Sequence, residues 1–541
     1  MEPISLRTPL ALFLISLATI AAVWWWLATP ITLARAPIDP NAKLQCVSYA
    51  PFRSGQTPLV ETTQISTEQI AEDLAQLAKV TECVRTYSIE NGLDQVPALA
   101  AKLGLKVIQG IWLSSNRFKN LAQISTAVQL VKSYPGTITA LVVGNEVLLR
   151  GELTTADLVA NIRSVKSQVQ IPITYADVWE FWLKNRELYE AVDFVTIHIL
   201  PYWEDFPIKA KFAASHVDAI RKRMAVAFPG KEILIGETGW PSEGRMREGA
   251  LPSRTSQARV VSEILDLAKL EGFRVNLIEA YDQPWKRQLE GTVGGYWGLF
   301  DAFRREVKYP PGVPVSNFPA WKLQMVCGMV LSGLTFLAAI LTVRRRPWTP
   351  RLISWIAVAI SATTAGSLLG IAADKMFYES YGIGGWLKWG ALLAAAVASP
   401  LLCAQAQVAG RPLPTLLELL GPRDYKSRSL VTILLALALA ITAVIAAETA
   451  LGFAFDPRYR DFPYASLTMA VVPFMGLMVL NRRQTGSRPL AESVFAGLLA
   501  VAAIYVGLNE GRDNWQSVWT CVIYLLFALT LWRARAEQSP K

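Results

Sequence analysis

The chain has 541 residues, of which 52% are hydrophobic and 18% are charged, a balance that excludes a disordered chain and predicts more than one domain. Five cysteines exclude a disulfide-dense scaffold, and two histidines leave little for a histidine-rich metal site. Residues 37–321 hold 31 basic and 31 acidic residues, so the net charge of +10 belongs to the rest of the chain and gives no sign of nucleic-acid binding.

A continuous apolar run fills residues 9–29, after a short segment at 1–8 that contains Arg7. About 20 such residues span a bilayer, and the tryptophans at 24–26 fit the aromatic belt of a membrane interface. We therefore predict a cytoplasmic N-terminus at 1–8 and a retained transmembrane anchor at 9–29. A cleavable signal peptide is the alternative, because residues 34–36, Ala-Arg-Ala, resemble a processing site. Both interpretations send residue 37 onward out of the cytoplasm.

Residues 37–321 alternate short strand-like runs with amphipathic stretches such as 67–79 and 155–169. Eight β–α units in this length predict a (β/α)8 TIM barrel. A doubly wound open sheet is the alternative, but residues 49–52 after the first strand lack its glycine-rich phosphate loop. The predicted strands are Leu44–Tyr49, Glu82–Tyr87, Lys106–Trp112, Ala140–Asn145, Pro172–Ala176, Phe194–His198, Ile233–Glu237 and Asn276–Ala280.

The chain turns apolar again from residue 322, and this predicts an α-helical polytopic membrane domain at 322–535. Terminal segments and loops on one side of its spans hold 15 Lys or Arg residues, and the opposite loops hold 5. The positive-inside rule then puts both termini, including the tail at 536–541, in the cytoplasm. This predicts a multi-pass protein of a bacterial inner membrane with residues 37–321 on the periplasmic side. The seven predicted spans lie near 325–343, 352–373, 386–406, 429–450, 464–481, 491–508 and 515–532.

Two glutamates stand at the ends of predicted strands, Glu146 after the fourth and Glu237 at the end of the seventh. In a barrel the carboxyl ends of the strands form the active-site face, and these two strands lie roughly across its mouth. Paired carboxylates suit glycoside cleavage, because one donates a proton to the leaving oxygen while the other attacks or stabilises the sugar carbon. A salt bridge or a helix cap is the structural alternative for either glutamate alone.

The surrounding motifs resemble glycoside hydrolase family 17, the β-1,3-glucanases and β-1,3-glucanosyltransferases, over about residues 44–305. VVGNEV at 142–147 resembles the acid/base strand of that family, and IGETGWPSEG at 235–244 its nucleophile strand. The resemblance implies that Glu146 is the general acid/base, that Glu237 is the nucleophile and that Asn145 contacts the sugar 2-hydroxyl. It continues through SYAPFR at 48–53, VRTYS at 84–88, TYADVWEFW at 174–182, VTIHILPYWED at 195–205, IEAYDQPWKR at 278–287 and GYWGLFD at 295–301.

Other strand-end residues are predicted to complete the site. Glu279 is expected as a supporting carboxylate, with a buried pair to Lys286 or Arg85 as the alternative, and Tyr202 as a hydrogen-bond partner of the nucleophile. We expect at least three of the tryptophans at 179, 182, 203, 240, 285 and 297 to line the cleft, with core packing as the alternative for each. The predicted substrate-binding set is Tyr49, Arg85, Tyr87, Asn145, Asp177, Trp179, Tyr202, Trp203, Trp240, Glu279, Trp285 and Lys286.

His198 and two cysteines receive more modest predictions. His198 lies among apolar neighbours, and we expect it to orient a neighbouring residue rather than to catalyse. Cys46 and Cys83 sit early in adjacent strands, in a compartment that permits disulfides. Neighbouring parallel strands rarely orient cysteines well for a bridge, so free thiols are favoured and a bridge stays open.

Three functions are compared. The chain resembles bacterial NdvC-type glucan-modifying proteins, which implies a membrane-bound glucanosyltransferase that elongates, branches or remodels β-1,3/β-1,6-glucan. A hydrolytic endo-β-1,3-glucanase needs the same two glutamates, and a glucan-binding or export module needs neither. The predicted partners are a β-1,3-glucan, membrane lipid and a separate membrane glucan synthase that supplies substrate. No metal and no cofactor are predicted.

Overall fold

The computed structural model describes residues 7–33, 35–39, 42–302, 305–345, 350–416, 418, 429–483 and 485–536. The chain forms two compact units: one is Pro30–Val315, and the other combines Met1–Thr29 with Ser316–Lys541. Some predictions fall on residues outside the described ranges: Ala34 of the processing site, and five of the 15 basic residues counted on one side of the spans, namely Arg346, Arg423, Lys426, Arg428 and Lys541.

The unit Pro30–Val315 is a closed barrel of eight parallel strands in sequential order, which confirms the predicted TIM barrel. Each predicted strand is present, but several are shorter than predicted, because regular pairing ends before the apolar run does. The strands are β1 (Cys46–Ser48), β2 (Cys83–Arg85), β3 (Lys106–Ile111), β4 (Ile138–Asn145), β5 (Ile173–Val178), β6 (Val195–His198), β7 (Ile233–Thr238) and β8 (Val275–Leu277).

Helices surround the barrel and bury one face each against it. In α2 the side chain of Ser66 caps the first turn by accepting a hydrogen bond from the Gln69 N–H at 3.2 Å, and Ile70, Leu74 and Leu77 are buried at helical spacing. The helices of this unit are α2 (Thr67–Leu77), α3 (Val96–Lys102), α4 (Arg117–Ser133), α5 (Thr155–Lys166), α6 (Trp179–Lys184), α7 (Leu188–Ala191), α8 (Ala213–Ala227), α9 (Arg254–Glu271) and α10 (Arg287–Gly294).

The favoured prediction of free thiols at Cys46 and Cys83 is wrong, because the two residues form a disulfide with Cα atoms 4.3 Å apart. In the register of β1 and β2 Val47 faces Val84, so the two cysteines that precede them are also neighbours. Both side chains point into the barrel interior, where they pack in one cluster with Ile108. The inward face of a closed barrel therefore supplies the alignment that an isolated parallel pair lacks.

The second unit is a bundle of apolar helices, as in a membrane protein. Among the described residues seven helices are long and apolar enough to cross a membrane, and Tyr464–Leu480, at 17 residues, is shorter. The N-terminal span and the seven later spans each coincide with one helix. These helices are α1 (Arg7–Leu27), α11 (Trp321–Val343), α12 (Leu352–Glu379), α13 (Gly382–Val408), α14 (Leu430–Phe455), α15 (Tyr464–Leu480), α16 (Leu490–Glu510) and α17 (Trp515–Trp532).

Candidate active site

The strands that carry the two glutamates depart from regular pairing where the glutamates lie. The register of β4 against β5 shifts between Val142 and Asn145, and that of β6 against β7 shifts so that His198 pairs with Glu237. Such bulges re-aim side chains next to active sites. In β7 a side chain on Gly236 would meet Thr196 at 2.3 Å and the imidazole of His198 at 3.3 Å, so glycine makes room for that ring.

His198 lies between the two glutamates at the carboxyl ends of the strands. Its Nδ1 is 2.8 Å from Oε1 of Glu146, and its Nε2 is 3.5 Å from Oε1 of Glu237. One carboxylate oxygen of each glutamate and a ring nitrogen of His198 all lie within 4.8 Å of one another. The structure thus brings the two predicted catalytic glutamates together, with the histidine hydrogen-bonded to Glu146 and close to Glu237.

Arg85 anchors the nucleophile candidate from β2. Its Nη1 donates to Oε1 of Glu237 at 2.7 Å, and its Nη2 donates to Oδ1 of Asn145. Burial alone raises the pKa of Glu237, but the neighbouring His198, Arg85 and Lys286 outweigh burial and leave the pKa lowered. Glu237 is therefore held as a carboxylate, the form that a nucleophile needs.

A second ion pair borders the first. Nζ of Lys286 donates to Oε1 of Glu279 at 2.7 Å, so the predicted alternative of a buried Glu279–Lys286 pair is what the structure shows. Burial raises the pKa of Glu279 to about 7 against the opposing effect of Lys286, and the charge of Glu237 adds to the rise. Tyr87 belongs to the same group, because its ring lies under the Arg85 guanidinium at 4.6 Å and Glu237 adds to the rise in its pKa that burial causes.

Glu146 is held by its backbone as well as by His198. Its φ is 51°, a left-handed value that residues other than glycine seldom adopt, and its N–H donates to the Ala176 carbonyl at 2.8 Å. Asp177 accepts hydrogen bonds from the Tyr175 hydroxyl and, at 3.4 Å, from the N–H of Leu149. Burial raises the pKa of Asp177 to about 6, and the charge of Glu146 adds to it. Asp177 thus holds the segment after β4 and lies close enough for the charge of Glu146 to affect its pKa.

Three predicted site residues lie elsewhere. The Tyr49 hydroxyl donates to Asp73 on α2 at 3.0 Å, between barrel and helices rather than on the floor of the site. The Tyr202 hydroxyl, predicted as a partner of the nucleophile, donates its proton to the Arg245 carbonyl at 2.9 Å. Trp240 is fully buried and donates to the Leu251 carbonyl at 3.0 Å, which leaves no ring face for a sugar.

The other tryptophans divide into two groups. Trp182 and Trp297 are buried in the same core as Trp240. Trp179, Trp203 and Trp285 are half-buried. The ring of Trp179 lies against the Arg223 guanidinium at 4.9 Å, that of Trp203 against Arg247 at 5.4 Å, and Nε1 of Trp285 donates to Gln283 at 2.8 Å.

Sequence reasoning missed one aromatic residue beside the site. Trp112 follows β3, and the guanidinium of Arg150 stacks on its ring at 4.1 Å. Arg150 also donates to the backbone carbonyls of Asn145 and, at 2.7 Å, Leu113. The signal was available, because Trp112 ends a predicted strand next to the one that carries Glu146.

Glu146, His198 and Glu237 are close enough together to hold a metal ion. However, the Arg85 guanidinium already pairs with Glu237, and Lys286 lies near enough to lower the pKa of that carboxylate. Fixed positive charge of this kind opposes a divalent cation. We therefore interpret the cluster as a pair of reacting carboxylates rather than a metal centre.

Two carboxyl groups that face each other in a cleft are the arrangement that glycoside cleavage uses. Residues 46–298 match the family model described as the BtgE/BtgC glycoside hydrolase domain. The barrel is thus similar to the BtgE/BtgC glycoside hydrolase domain, on a chain that also carries long apolar helices.

Individual relatives are distant. The chain is 26% identical to the glucan 1,3-beta-glucosidase of Saccharomyces cerevisiae over 258 residues, which is 43% of this chain and 82% of that protein. It is 27% identical to the "Probable beta-glucosidase btgE" of Aspergillus fumigatus over 264 residues, 48% of this chain and 45% of that protein. A similar solved structure is the glycoside hydrolase family 17 beta-1,3-glucanosyltransferase from Rhizomucor miehei, with 23% identity, 50% of this chain and 96% of that chain covered, and a TM-score of 0.44.

Proposed function

We propose that the barrel is a retaining β-1,3-glucan glucanosyltransferase, which cleaves a glucan and passes the glycosyl group to a hydroxyl of another sugar. The observation that carries the proposal is the approach of Glu146 and Glu237, each with a carboxylate oxygen inside a cluster no wider than 4.8 Å. Retaining enzymes hold their carboxyl groups about 5–5.5 Å apart, whereas inverting enzymes need about 6.5–9.5 Å to admit water. The short separation favours a covalent intermediate, which a retaining enzyme can pass to a sugar hydroxyl.

The contacts of Glu237 suggest which oxygen attacks. In the described part of the chain the hydrogen bond and the close histidine contact both go to Oε1, from Arg85 and His198. We assign Oε2 as the oxygen that bonds to the sugar C1. Glu146 is the more exposed of the two, at 25% against 6% for Glu237, so leaving group and acceptor approach on its side. Glu146 first protonates the leaving oxygen and then takes the proton of the acceptor hydroxyl.

Transfer is favoured over hydrolysis by the resemblance to NdvC-type glucan-modifying proteins. The competing proposal is a hydrolytic endo-β-1,3-glucanase. The names of the yeast and Aspergillus relatives, both glucosidases, favour hydrolysis. Both need the same pair of glutamates. A purely glucan-binding or export module would have no use for an ionised Glu237 held against Arg85.

We further propose that the barrel lies on the periplasmic side of an inner membrane, with both termini in the cytoplasm and lipid around the helical unit. The Cys46–Cys83 disulfide supports an oxidising compartment. The excess of basic residues in one set of loops supports the orientation. A separate membrane glucan synthase would supply the glucan.

Product analysis tests the proposed function. Full-length protein in detergent is incubated with reducing-end-labelled laminarioligosaccharides, with Glu237→Gln as the control. Products longer than the substrate, with the new linkage identified as β-1,3 or β-1,6 by NMR, are expected. Shorter products alone would support the hydrolase instead. No turnover by the wild type, or equal turnover by Glu237→Gln, would refute both.

A further inference from the structure

His198 occupies a position that the proposed acid/base and nucleophile roles do not explain. Its side chain has no solvent exposure, and both ring nitrogens face carboxylates, with Nδ1 at 2.8 Å from Glu146 and Nε2 at 3.5 Å from Glu237. Nε2 is buried without a hydrogen-bond partner among the described residues. A histidine needed only for packing would not be expected to face two carboxylates, and Gly236 leaves the space for the ring.

The charged groups around His198 come from several strands. Glu146 follows β4, Asp177 lies on β5 and Glu237 on β7, and each is close enough to interact with the ring. The positive charges of Arg85 and Lys286 act on Glu237, and both lower the pKa of that carboxylate. The imidazole therefore sits in a ring of acceptors and can donate through either nitrogen.

We propose that His198 is a positioning residue that shares one proton with Glu146 and so keeps a proton available to this acid/base residue for catalysis. This inference rests on the proposed function. The proton lies along the contact between Glu146 Oε1 and His198 Nδ1. The negative charge of Glu237, beside Nε2, favours retention of that proton by the pair until a substrate arrives.

The proton then moves with the two bond changes at C1. As the bond from Glu237 Oε2 to C1 forms, the bond from C1 to the leaving oxygen breaks, and that oxygen takes the proton from Glu146. Esterified Glu237 no longer carries a negative charge, so the Glu146–His198 pair has a lower affinity for a proton. When the acceptor oxygen bonds to C1 and Glu237 Oε2 leaves, the acceptor proton returns to Glu146 and the pair is restored.

The expected consequence is a wider pH range of activity than Glu146 alone would give. An isolated glutamic acid loses its proton near pH 4.3 and an isolated imidazolium near pH 6.5. A pair that shares one proton keeps it until the second macroscopic step. The basic limb of kcat/KM is therefore expected to lie at higher pH with His198 than without it.

The test compares full-length wild type in detergent with His198→Gln, which can still donate a hydrogen bond to Glu146 but cannot carry the proton. We expect the basic limb of kcat/KM on laminarioligosaccharides to fall by about 1 pH unit or more. His216→Gln is the matched control. His216 is the only other histidine of the sequence and pairs with Glu204 at 3.1 Å, so its loss is expected to leave the profile unchanged.

A spectroscopic measurement on unmutated protein guards against a variant that fails to fold. The two histidines are labelled with 15N, and Glu237 is esterified with a 2-deoxy-2-fluoro laminaribiosyl fluoride. The ring nitrogens of His198 are expected to shift on esterification, while those of His216 stay in place. His216→Gln supplies the assignment.

The outcomes separate the two levels of the proposal. A lowered basic limb in folded His198→Gln, or a His198 shift on esterification where that variant does not fold, supports the shared proton. Turnover with an unmoved basic limb in folded His198→Gln, or an unchanged His198 signal in the trapped enzyme, overturns it and leaves the proposed function intact. Failure of the wild type to turn over any laminarioligosaccharide overturns the proposed function and this inference with it.

Discussion

Replacement of Arg85 tests whether the lowered pKa of Glu237 is built into the barrel. The guanidinium donates to Oε1 of Glu237 at 2.7 Å, and the two side chains are only 2% and 6% exposed, so solvent and salt screen the pair weakly. Arg85→Gln removes the charge but keeps an N–H donor near the carboxylate. Burial would then raise the pKa of Glu237 with only His198 and Lys286 to oppose the rise.

The size of the effect follows from the contact. A hydrogen bond to a charged group is worth about 1.5–3 kcal/mol, and each pKa unit corresponds to about 1.4 kcal/mol. We therefore expect the pKa of Glu237 to rise by about 1–2 units in Arg85→Gln. Because the nucleophile must be ionised, the acid limb of kcat/KM should move to higher pH by the same amount, which is roughly a 10- to 100-fold loss at pH values below the limb.

The assay is the pH profile of kcat/KM on labelled laminarioligosaccharides, together with thermal unfolding to show that the variant folds. Arg85→Lys keeps the charge but cannot reach both Glu237 and Asn145, so its acid limb should stay near that of the wild type while kcat falls. Arg274→Gln is a matched control, because Arg274 pairs with Glu232 at 2.9 Å on the exposed surface. An unmoved acid limb in folded Arg85→Gln would refute the electrostatic argument.

Four further results are expected. Glu146→Ala should lose about 10²- to 10⁴-fold in kcat, and added azide should restore turnover as a β-glycosyl azide; an α-azide would contradict retention. Because burial raises the pKa of Glu279 to about 7, the native state holds a proton that the unfolded chain has lost, so stability should fall as pH rises from about 4.5 to 7. In Glu279→Gln the free energy of unfolding should fall by about 3 kcal/mol less over this pH range than in the wild type. An equally steep dependence on pH in the two proteins would contradict this. Replacement of Cys46 and Cys83 by serine opens a loop of 37 residues, which should lower the free energy of unfolding by about 4 kcal/mol through chain entropy. The measurement is Tm, which dithiothreitol should lower in the wild type but not in the variant. Tyr202→Phe should lose about 1 kcal/mol of stability with kcat unchanged, and a large fall in kcat would return Tyr202 to the site.

The barrel was predictable because its strands are apolar runs between helical stretches, but the ends of the strands were not. The prediction for the first strand, Leu44–Tyr49, exceeds the observed Cys46–Ser48 at both ends. Backbone hydrogen bonds continue past the regular strand, because the Leu44 N–H donates to the Val80 carbonyl at 2.9 Å and the Tyr49 N–H to the Arg85 carbonyl at 2.8 Å. Leu44 and Tyr49 are also both buried in the core cluster between the barrel and the helices, so burial does not mark the ends of the strand.

The two-residue alternation of a strand explains several of the site placements. Cys46 lies in the barrel interior and Val47 in the layer under the helices, so Tyr49 must join Val47. In the same way Cys83 is interior, and Arg85 and Tyr87 share its face. Tyr49, predicted to bind substrate, instead faces the helices, because proximity to a strand end was considered without the face.

Alternation alone would have placed Glu237 incorrectly. Leu234 is interior and Ile235 lies under the helices, so strict alternation would send Glu237 outward with Ile235. The bulge that pairs His198 with Glu237 resets the pattern by one residue and turns the carboxylate toward Arg85. A one-residue irregularity leaves no mark on hydrophobic periodicity, so this residue could be identified from the sequence only through the motif around it. Since register shifts occur at both strands that carry the glutamates, the irregular backbone is the feature that turns a regular barrel into a site with two facing carboxylates.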